Sequence, residues 1–185
     1  MSFLNPSQQA IGLAFLRIAP LGISAISWTF SYLTHEYVAA FKQRDVPYDA
    51  RLATVPGWWI HIRDATVGFR LFSFSSNILL GILNARGSTL FDLLGDGSKS
   101  TVPPLAARAY LAGSFFSALY YIITIWWQFV PLQLDVLMVP KLPPAKREAG
   151  IDRFIRMDNL RLWTTSFPML VGFAVATTLW VANLL

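Results

Sequence analysis

Several titratable side chains of this chain lie where long apolar stretches begin or end, and their types suit proton transfer and anion binding. His35 follows one apolar stretch, Arg70 lies near the start of a second, and Asp158 and Arg161 precede another. A histidine or a carboxylate can act as a general base, since the ordinary pKa of histidine is near ~6.5. Arginine binds anions through several donors. These four residues form the predicted catalytic set, although each taken singly also fits a charge that snorkels to the membrane surface.

Arg70 and Arg161 are each expected to have a carboxylate nearby, because an unpaired charge within an apolar stretch costs about 2.5 to 3.5 kcal/mol on insertion scales. Asp158 or Asp64 is the expected partner. Arg17 lies on the other side of the predicted membrane, near the N-terminal end of the first stretch. We interpret it as a snorkelling residue.

A metal site is the alternative chemistry for the same end of the chain. His61 and Asp64 are spaced i and i+3, and with His35 and Glu36 they form a mixed nitrogen and oxygen ligand set. The chain has no cysteine, which excludes thiolate ligands and disulfides. Because only two histidines are present and no strict ligand motif surrounds them, the main prediction contains no metal.

Four apolar stretches must position these residues, and each carries polar residues at intervals of three or four. The stretches run from 11 to 34, 66 to 84, 110 to 130 and 162 to 185. Such spacing puts the polar residues of a helix on one face, and a polar face avoids lipid. We therefore predict that the four faces converge on a polar interior. The predicted substrate-binding residues in it are Ser31, Asn77, Tyr121, Trp127, Gln128 and Thr165.

Composition identifies the chain as a membrane protein. Its 185 residues are 55% apolar and 15% aromatic, with a mean hydropathy of +0.49. A span needs roughly 20 residues to cross the hydrocarbon core, so four spans leave no room for a separate soluble domain. No basic region precedes the first stretch, which favours a retained span over a signal peptide. The sequence predicts one integral membrane domain over 1–185, an all-α antiparallel bundle of four transmembrane helices with a polar interior.

The basic residues predict the topology. They are concentrated in the first and third loops, where Lys42, Arg44, Arg51, Arg63, Lys141, Lys146, Arg147, Arg153 and Arg156 lie, whereas the second loop holds Arg86, Lys99 and Arg108. Under the positive-inside rule, loops one and three are cytosolic and both termini lie on the opposite side. The net charge of +5 is thus a topology signal, and we predict no nucleic-acid partner. The expected location is the endoplasmic reticulum or another endomembrane.

Prolines and charges predict where the helices begin and end. Pro47 and Pro56 discourage helix between the first two spans, so the second span is expected to begin after Asp64. Thr101 before Pro103 fits an N-cap followed by a proline in the first turn of span three. The segment from 146 to 161 has apolar residues at helical intervals and predicts a helical extension of span four into the cytosol.

Two segments of the C-terminal third, VPLQLDVL at 130–137 and RFIRMDNLRLW at 153–163, resemble a family of small four-helix membrane proteins that includes the fungal anthrone oxygenases. That family tends to have a proline and an amide before a leucine pair at the end of its third helix. Its fourth helix opens with an aromatic residue, an Asn or His, and an Arg. The matching residues here are Pro131, Leu134, Leu137, Phe154 and Arg161.

Two positions depart from that pattern. The amide position is nearer Gln133 or Asp135, and Asp158 occupies the Asn position unless Asn159 takes it with a shift of one. The helix count, the loop proportions and the basic linker agree with the family.

The resemblance implies oxidation of an anthrone-like phenol to a quinone by O2, without flavin, haem or metal. This chemistry needs a base, a group that holds the resulting anion, and an apolar cavity that admits O2. His35 or Asp158 would be the base, and Arg161 with Arg70 would hold the anion. The walls would be Trp127, Tyr121, Phe72 and Phe116.

Two other function classes fit the same bundle. In a membrane isomerase or cyclase, His35, Glu36 and Asp158 would move protons and O2 would play no part. In a non-enzymatic tetraspan adaptor or transporter, the polar faces would serve packing or solute passage. The expected partners are a lipophilic aromatic small molecule and the lipid bilayer, and the sequence leaves the substrate and the oligomeric state open.

Overall fold

The computed structural model describes residues 5–40, 47–86, 102–124 and 143–184, and almost all of them are helical. No strand occurs in these ranges, so the all-α prediction is confirmed for them. The elements are α1 (Pro6–Ala40), α2 (Tyr48–Arg86), α3 (Pro104–Ile122), α4 (Pro144–Arg161), a π-helical turn (Leu162–Ser166) and α5 (Phe167–Ala182).

The second helix is longer than the sequence predicted. α2 begins at Tyr48 and continues through Pro56, so the prediction that Pro56 discourages helix there is wrong, whereas the part of α2 that is apolar enough to span a membrane begins at Asp64, close to the predicted start of span two. Proline in a helix interior removes one backbone hydrogen bond, but tertiary packing can override this local preference. Here a contact just after Pro56 supports the helix: Trp58 lies against the buried pair Val38 of α1 and Phe154 of α4.

The boundaries of the later helices follow proline chemistry. α3 begins at Pro104, and Pro103 is its N-cap residue. Thr101, the predicted N-cap residue, lies outside the described residues. A proline at the first helical position suits a helix start because its missing N–H would have no partner there. The predicted helical extension of span four is confirmed, since α4, the π-helical turn and α5 follow one another without a break.

Three helices are long and apolar enough to cross a membrane: Ser7–Ala40, Asp64–Arg86 and Ala145–Ala182. The helix α3 is not among them over its described length, which includes Arg108 and three tyrosines. The predicted end of span three, from 125 to 130, lies outside the described residues. The described chain is therefore a helical protein with three segments able to span a membrane.

The helices form a ring in which α1 packs against α2, α2 against α3, α3 against α5, and α5 against α1. Neighbours are antiparallel: Arg17 and Asn84 meet at one end of the α1–α2 pair, and the rings of Phe30 and Phe69 meet toward the other. Most polar residues of the predicted faces are buried. Their buried members are Arg17, Ser24, Ser27, Ser31, Ser73, Asn77, Asn84, Ser114, Ser117, Asp158, Arg161 and Thr165.

Glycines allow the closest helix contacts in the ring. A Cβ atom added to Gly172 of α5 would lie 2.9 Å from the backbone nitrogen of Gly113 of α3. One added to Gly113 would lie 2.8 Å from the ring of Phe173. Backbones approach this closely only where small residues face each other. The contact seats Phe173 in the apolar core beside Phe74, Tyr110, Tyr120, Met169 and Ala176.

Arg17 corrects one expectation of the sequence. Its side chain is fully buried, and Nη1 donates to the backbone oxygen of Asn84 at 2.8 Å and to Oδ1 of Asn84 at 3.1 Å. Asn84 Nδ2 donates in return to the backbone oxygen of Leu16. Tyr110 adds a hydrogen bond from its hydroxyl to the backbone oxygen of Arg17 at 2.8 Å. Arg17 is therefore a buried link between α1, α2 and α3, and its interpretation as a snorkelling residue is wrong.

Candidate functional site

Ionisable side chains from four helices meet at the end of the ring opposite Arg17. We call them the polar cluster, which consists of His35 of α1, Arg70 of α2, Tyr120 of α3, and Asp158 and Arg161 of α4. The structure thus brings together all four residues of the predicted catalytic set and adds a tyrosine. Antiparallel packing explains the convergence, because the C-terminal part of α1 lies beside the α4 segment that precedes α5.

Both carboxylate oxygens of Asp158 face a nitrogen atom, and Oδ1 is the one that accepts a hydrogen bond from a described residue. Its Oδ1 forms an ion pair with Nη2 of Arg161 one helical turn later, and its Oδ2 lies 3.4 Å from Nδ1 of His35. The side chains of Asp158 and Arg161 are 3% and 5% exposed, so this ion pair is largely shielded from solvent. The expected carboxylate partner of Arg161 is thus Asp158, whereas Asp64 is exposed.

The contact with Asp158 sets which nitrogen of His35 is available for chemistry. A proton on Nδ1 is favoured because a carboxylate oxygen faces this atom. The lone pair of a neutral imidazole then lies on Nε2, and this atom can accept a proton from a bound molecule. The distance of 3.4 Å is longer than a good hydrogen bond, and such contacts often tighten once a ligand binds.

Tyr120 connects the two arginines. Nη1 of Arg70 donates to the Tyr120 hydroxyl at 3.3 Å, and the guanidinium carbon of Arg161 lies 5.0 Å from the centre of the Tyr120 ring. The other neighbour of this ring is Phe74, which stacks on it with centroids 3.6 Å apart and planes at 9°. The polar cluster therefore lies against an aromatic pair whose members are 1% and 2% exposed.

Arg70 uses only part of its donor capacity in protein contacts. Its Nε and Nη2 atoms are buried and have no hydrogen-bond partner among the described residues. The guanidinium carbon lies 5.4 Å from the centre of the Phe30 ring, a favourable contact for a cation over an aromatic face. Arg70 is thus oriented by Phe30 and Tyr120, while one edge of its guanidinium makes no hydrogen bond to the described residues.

The π-helical turn directly follows the last cluster residue. Thr165 is fully buried and donates its hydroxyl to the backbone oxygen of Arg161 at 2.6 Å, and Ser166 Oγ is buried without a partner in the described part of the chain. Single π-helical turns inside α-helices often occur at functional sites. This turn changes the register between α4 and α5 just after Arg161, so it helps to set the orientation of that side chain.

The predicted substrate-binding residues fall in different places. Ser31, Asn77 and Thr165 are buried inside the ring, and Asn77 Nδ2 lies 3.5 Å from the Met169 sulfur while its Oδ1 has no partner among the described residues. Trp127 and Gln128 lie outside the described residues.

The ring of Tyr121, a predicted wall residue, packs edge-on against Tyr120 of the polar cluster, but its hydroxyl and the side chain of Phe72 point away from the cluster. Tyr121 donates its hydroxyl to the backbone oxygen of Leu71 at 2.6 Å, which ties it to the outer side of α2. Phe72 is 67% exposed and does not line the interior, since it points away from the α2 face that carries Ser73 and Asn77. Phe116 packs against the apolar core.

The alternative metal ligands do not assemble. Glu36, His61 and Asp64 are exposed, and no three His, Asp or Glu side chains come together as a ligand group within 5–40, 47–86, 102–124 and 143–184.

No known protein family, curated protein or solved structure matches this chain. The resemblance to the anthrone oxygenases therefore rests on two short segments, of which VPLQLDVL lies outside the described residues. The other segment contains Phe154, Asp158 and Arg161, so two of its three key positions belong to the polar cluster.

Proposed function

We propose that this chain is a membrane-embedded enzyme that oxidises a lipophilic, electron-rich aromatic molecule with O2, an activity of the anthrone oxygenase kind. The observation that supports it is the polar cluster, in which an imidazole, a carboxylate, two guanidinium groups and a phenol meet within an apolar bundle. Ionisable groups are costly in such surroundings and are enriched at functional sites.

The proposed reaction converts a ring methylene, activated by a carbonyl group in the same ring, into a ketone. A base removes one methylene proton, and the electron pair left behind is delocalised as an enolate. The enolate reacts with O2 and a proton to form a carbon to oxygen bond as a hydroperoxide. Loss of water leaves the ketone. Overall, CH2 and O2 give C=O and H2O, so O2 accepts all the electrons and no separate reductant is needed.

The cluster geometry suggests a role for each residue. His35 accepts the methylene proton at Nε2, since Nδ1 faces Asp158. Arg70 stabilises the enolate oxygen, because two of its buried nitrogens are not used by the described protein. Arg161 is paired with Asp158, and its main role is to hold this carboxylate in place beside the base.

The proposal includes the wider membrane arrangement. Four spans form the bundle, with loops one and three in the cytosol and the protein in the endoplasmic reticulum or another endomembrane. The substrate reaches the polar cluster from the apolar phase, and Ser31, Asn77 and Thr165 contact it inside the ring. O2 partitions into the same apolar phase, and no resident cofactor takes part.

Oxygen uptake by the purified protein in lipid nanodiscs tests the proposal. With 1,8-dihydroxyanthrone as substrate, we expect one O2 consumed per quinone formed, faster than the uncatalysed oxidation in protein-free nanodiscs. His35→Gln should lower the catalysed rate at least about tenfold, roughly 1.4 kcal/mol of transition-state stabilisation. His61→Gln is the matched control because His61 is an exposed histidine of α2, and it should keep the rate.

Three results would contradict the proposal in different ways. No uptake above the protein-free rate would overturn the oxygenase activity. Proton exchange or rearrangement of the substrate under nitrogen would favour the isomerase or cyclase. Loss of activity with a chelator and its return with iron or copper would overturn the cofactor-free reaction.

A further inference from the structure

Two buried donor atoms without a protein partner belong to the same edge of one side chain. They are Nε and Nη2 of Arg70, and neither is hydrogen-bonded to a described residue. In a guanidinium group these two nitrogens point their N–H bonds in parallel along one side. This edge matches a planar pair of oxygen atoms, as in bidentate contacts between arginine and carboxylate.

We propose that the Nε and Nη2 edge of Arg70 binds a planar anion with two neighbouring oxygen atoms, so that the ligand of this site is a lipophilic aromatic molecule that carries such a pair. A carboxylate has this geometry, and so does a deprotonated hydroxyl group beside a ring carbonyl. This ligand class adds the kind of substrate to the proposed function. It rests on the proposed function in one respect, namely that the polar cluster is the ligand site.

The orientation of Arg70 leaves this edge as the available one. Nη1 is used by the Tyr120 hydroxyl at 3.3 Å, and one face of the guanidinium packs on the ring of Phe30. These two contacts fix the position and the plane of the group. A guanidinium held in this way loses little further freedom when it binds a ligand, which favours recognition of a planar partner.

The charge balance also favours an anionic ligand. Asp158 is the buried carboxylate of the polar cluster, and its two oxygens are already directed to Arg161 and His35. Arg70 has no ion pair with any carboxylate in the described ranges. A buried cation is costly in an apolar bundle unless an anion compensates it, and the ligand would supply that charge.

The aromatic side chains around Arg70 suit the lipophilic part of the proposed ligand. Phe30 lies on one side of the Arg70 guanidinium, and the stacked pair of Phe74 and Tyr120 lies next to its hydrogen-bonded end. Flat aromatic molecules pack well against such rings. The oxygen-binding edge of Arg70 therefore lies among aromatic side chains, surroundings that suit an aromatic ligand.

Calorimetric titration of the whole protein in nanodiscs under nitrogen tests this inference without any turnover. The probes, at mildly alkaline pH, are 2-naphthoate and tropolonate, which are planar anions with two neighbouring oxygens, and 2-naphthol and methyl 2-naphthoate, which are neutral. We expect the first two to bind at least about tenfold more tightly than the second two. Whether the carboxylate or the hydroxy-ketone binds more tightly identifies which of the two sources the site prefers.

Substitution of Arg70 is the second part of this binding test. Arg70→Lys keeps the positive charge but cannot form two parallel hydrogen bonds. It should therefore weaken binding of the two anionic probes at least about tenfold and leave the affinity for 2-naphthol within about twofold. Arg108→Lys is the matched control because Arg108 is an exposed arginine of α3. It should leave all affinities unchanged.

The outcomes separate this inference from the proposed function. Equal binding of the anionic and the neutral probes by the unmodified protein would overturn the inference even if no Arg70 variant folds. Unchanged affinity in a folded Arg70→Lys protein would overturn it as well. Selective binding without any O2 uptake would overturn the oxidation alone and leave the anion site in place.

Discussion

Nδ1 of His35 lies 3.4 Å from Oδ2 of Asp158, and this contact joins the end of α1 to the last turn of α4. The other oxygen of Asp158 is paired with Arg161, so one buried carboxylate connects two cationic or ionisable groups. A carboxylate with two partners of this kind cannot lose one without leaving part of its charge uncompensated. The stability of this end of the protein and its proposed chemistry therefore depend on the same residues.

The first prediction concerns this ion pair. Arg161→Met should lower the free energy of unfolding by about 3 to 5 kcal/mol, because it leaves Asp158 buried without its main partner. Adding Asp158→Asn should recover part of that loss, since the uncompensated charge is then removed. Unfolding in SDS measures both changes, and Arg156→Met, at an exposed arginine of the same helix, is the control. If the losses in stability caused by the two substitutions simply added in the double variant, this would contradict a direct interaction between Arg161 and Asp158.

The second prediction compares two adjacent tyrosines. Tyr120→Phe keeps the stacking on Phe74 but removes the hydroxyl that Arg70 binds, so O2 uptake should fall at least about tenfold while the protein stays folded. Tyr121→Phe removes a hydrogen bond to the backbone of α2 away from the cluster and should keep the rate within about twofold. The reverse order of effects would place the reaction beside Tyr121 instead.

These tyrosines also illustrate what the sequence could and could not predict. Convergence of His35, Arg70, Asp158 and Arg161 was predictable because charges at the ends of apolar stretches meet when the stretches are antiparallel helices. The choice between Tyr120 and Tyr121 was not, since both lie one helical turn after Ser117 and fit a spacing of three or four. A rotation of α3 by one residue decides between them, and packing of Gly113 against α5 fixes that rotation.

The third prediction follows from the buried position of Arg17. Arg17→Ala should lower the free energy of unfolding by about 1 to 3 kcal/mol, because the Asn84 oxygens lose their donor inside the bundle. Arg86→Ala, at an exposed arginine at the end of α2, should change it by less than about 0.5 kcal/mol. Equal stability of the two variants would contradict the buried position of Arg17 and support a side chain that extends to the membrane surface.

Arg17 and Pro56 show why local patterns were insufficient at two places. From the sequence, an arginine near the start of an apolar stretch has the same appearance whether it extends to the headgroups or turns inward. Only the position of Asn84 across the helix pair distinguishes the two cases. Similarly, Pro56 predicts a break, but the contacts that Trp58 makes with Val38 and Phe154 are distant in sequence and keep the helix continuous.

The fourth prediction tests the membrane topology. The chain has no cysteine, so single cysteines can be introduced at the exposed positions Asp49, Glu148 and Gln8. The first two lie at the end of the bundle where α4 packs on the end of α1, and Gln8 lies at the other end. A membrane-impermeant thiol reagent applied from the cytosolic side should label Asp49→Cys and Glu148→Cys but not Gln8→Cys. Labelling of Asp49→Cys and Glu148→Cys from opposite sides would contradict the proposed topology.

The fifth prediction concerns the close contact between α3 and α5. Gly172→Ala should lower the free energy of unfolding by about 1 to 3 kcal/mol, because the new Cβ would lie 2.9 Å from the backbone nitrogen of Gly113 and α3 would have to move away. Gly22→Ala is the matched control in a helix, since no atom lies within 4 Å of its added Cβ. It should leave stability unchanged or raise it by about 0.5 to 1 kcal/mol through its better helix propensity. Because α3 also carries Tyr120, the displacement caused by Gly172→Ala should weaken binding at the polar cluster, whereas Gly22→Ala should not affect it. Two alanine variants of equal stability and equal ligand affinity would mean that the α3–α5 contact does not position the site.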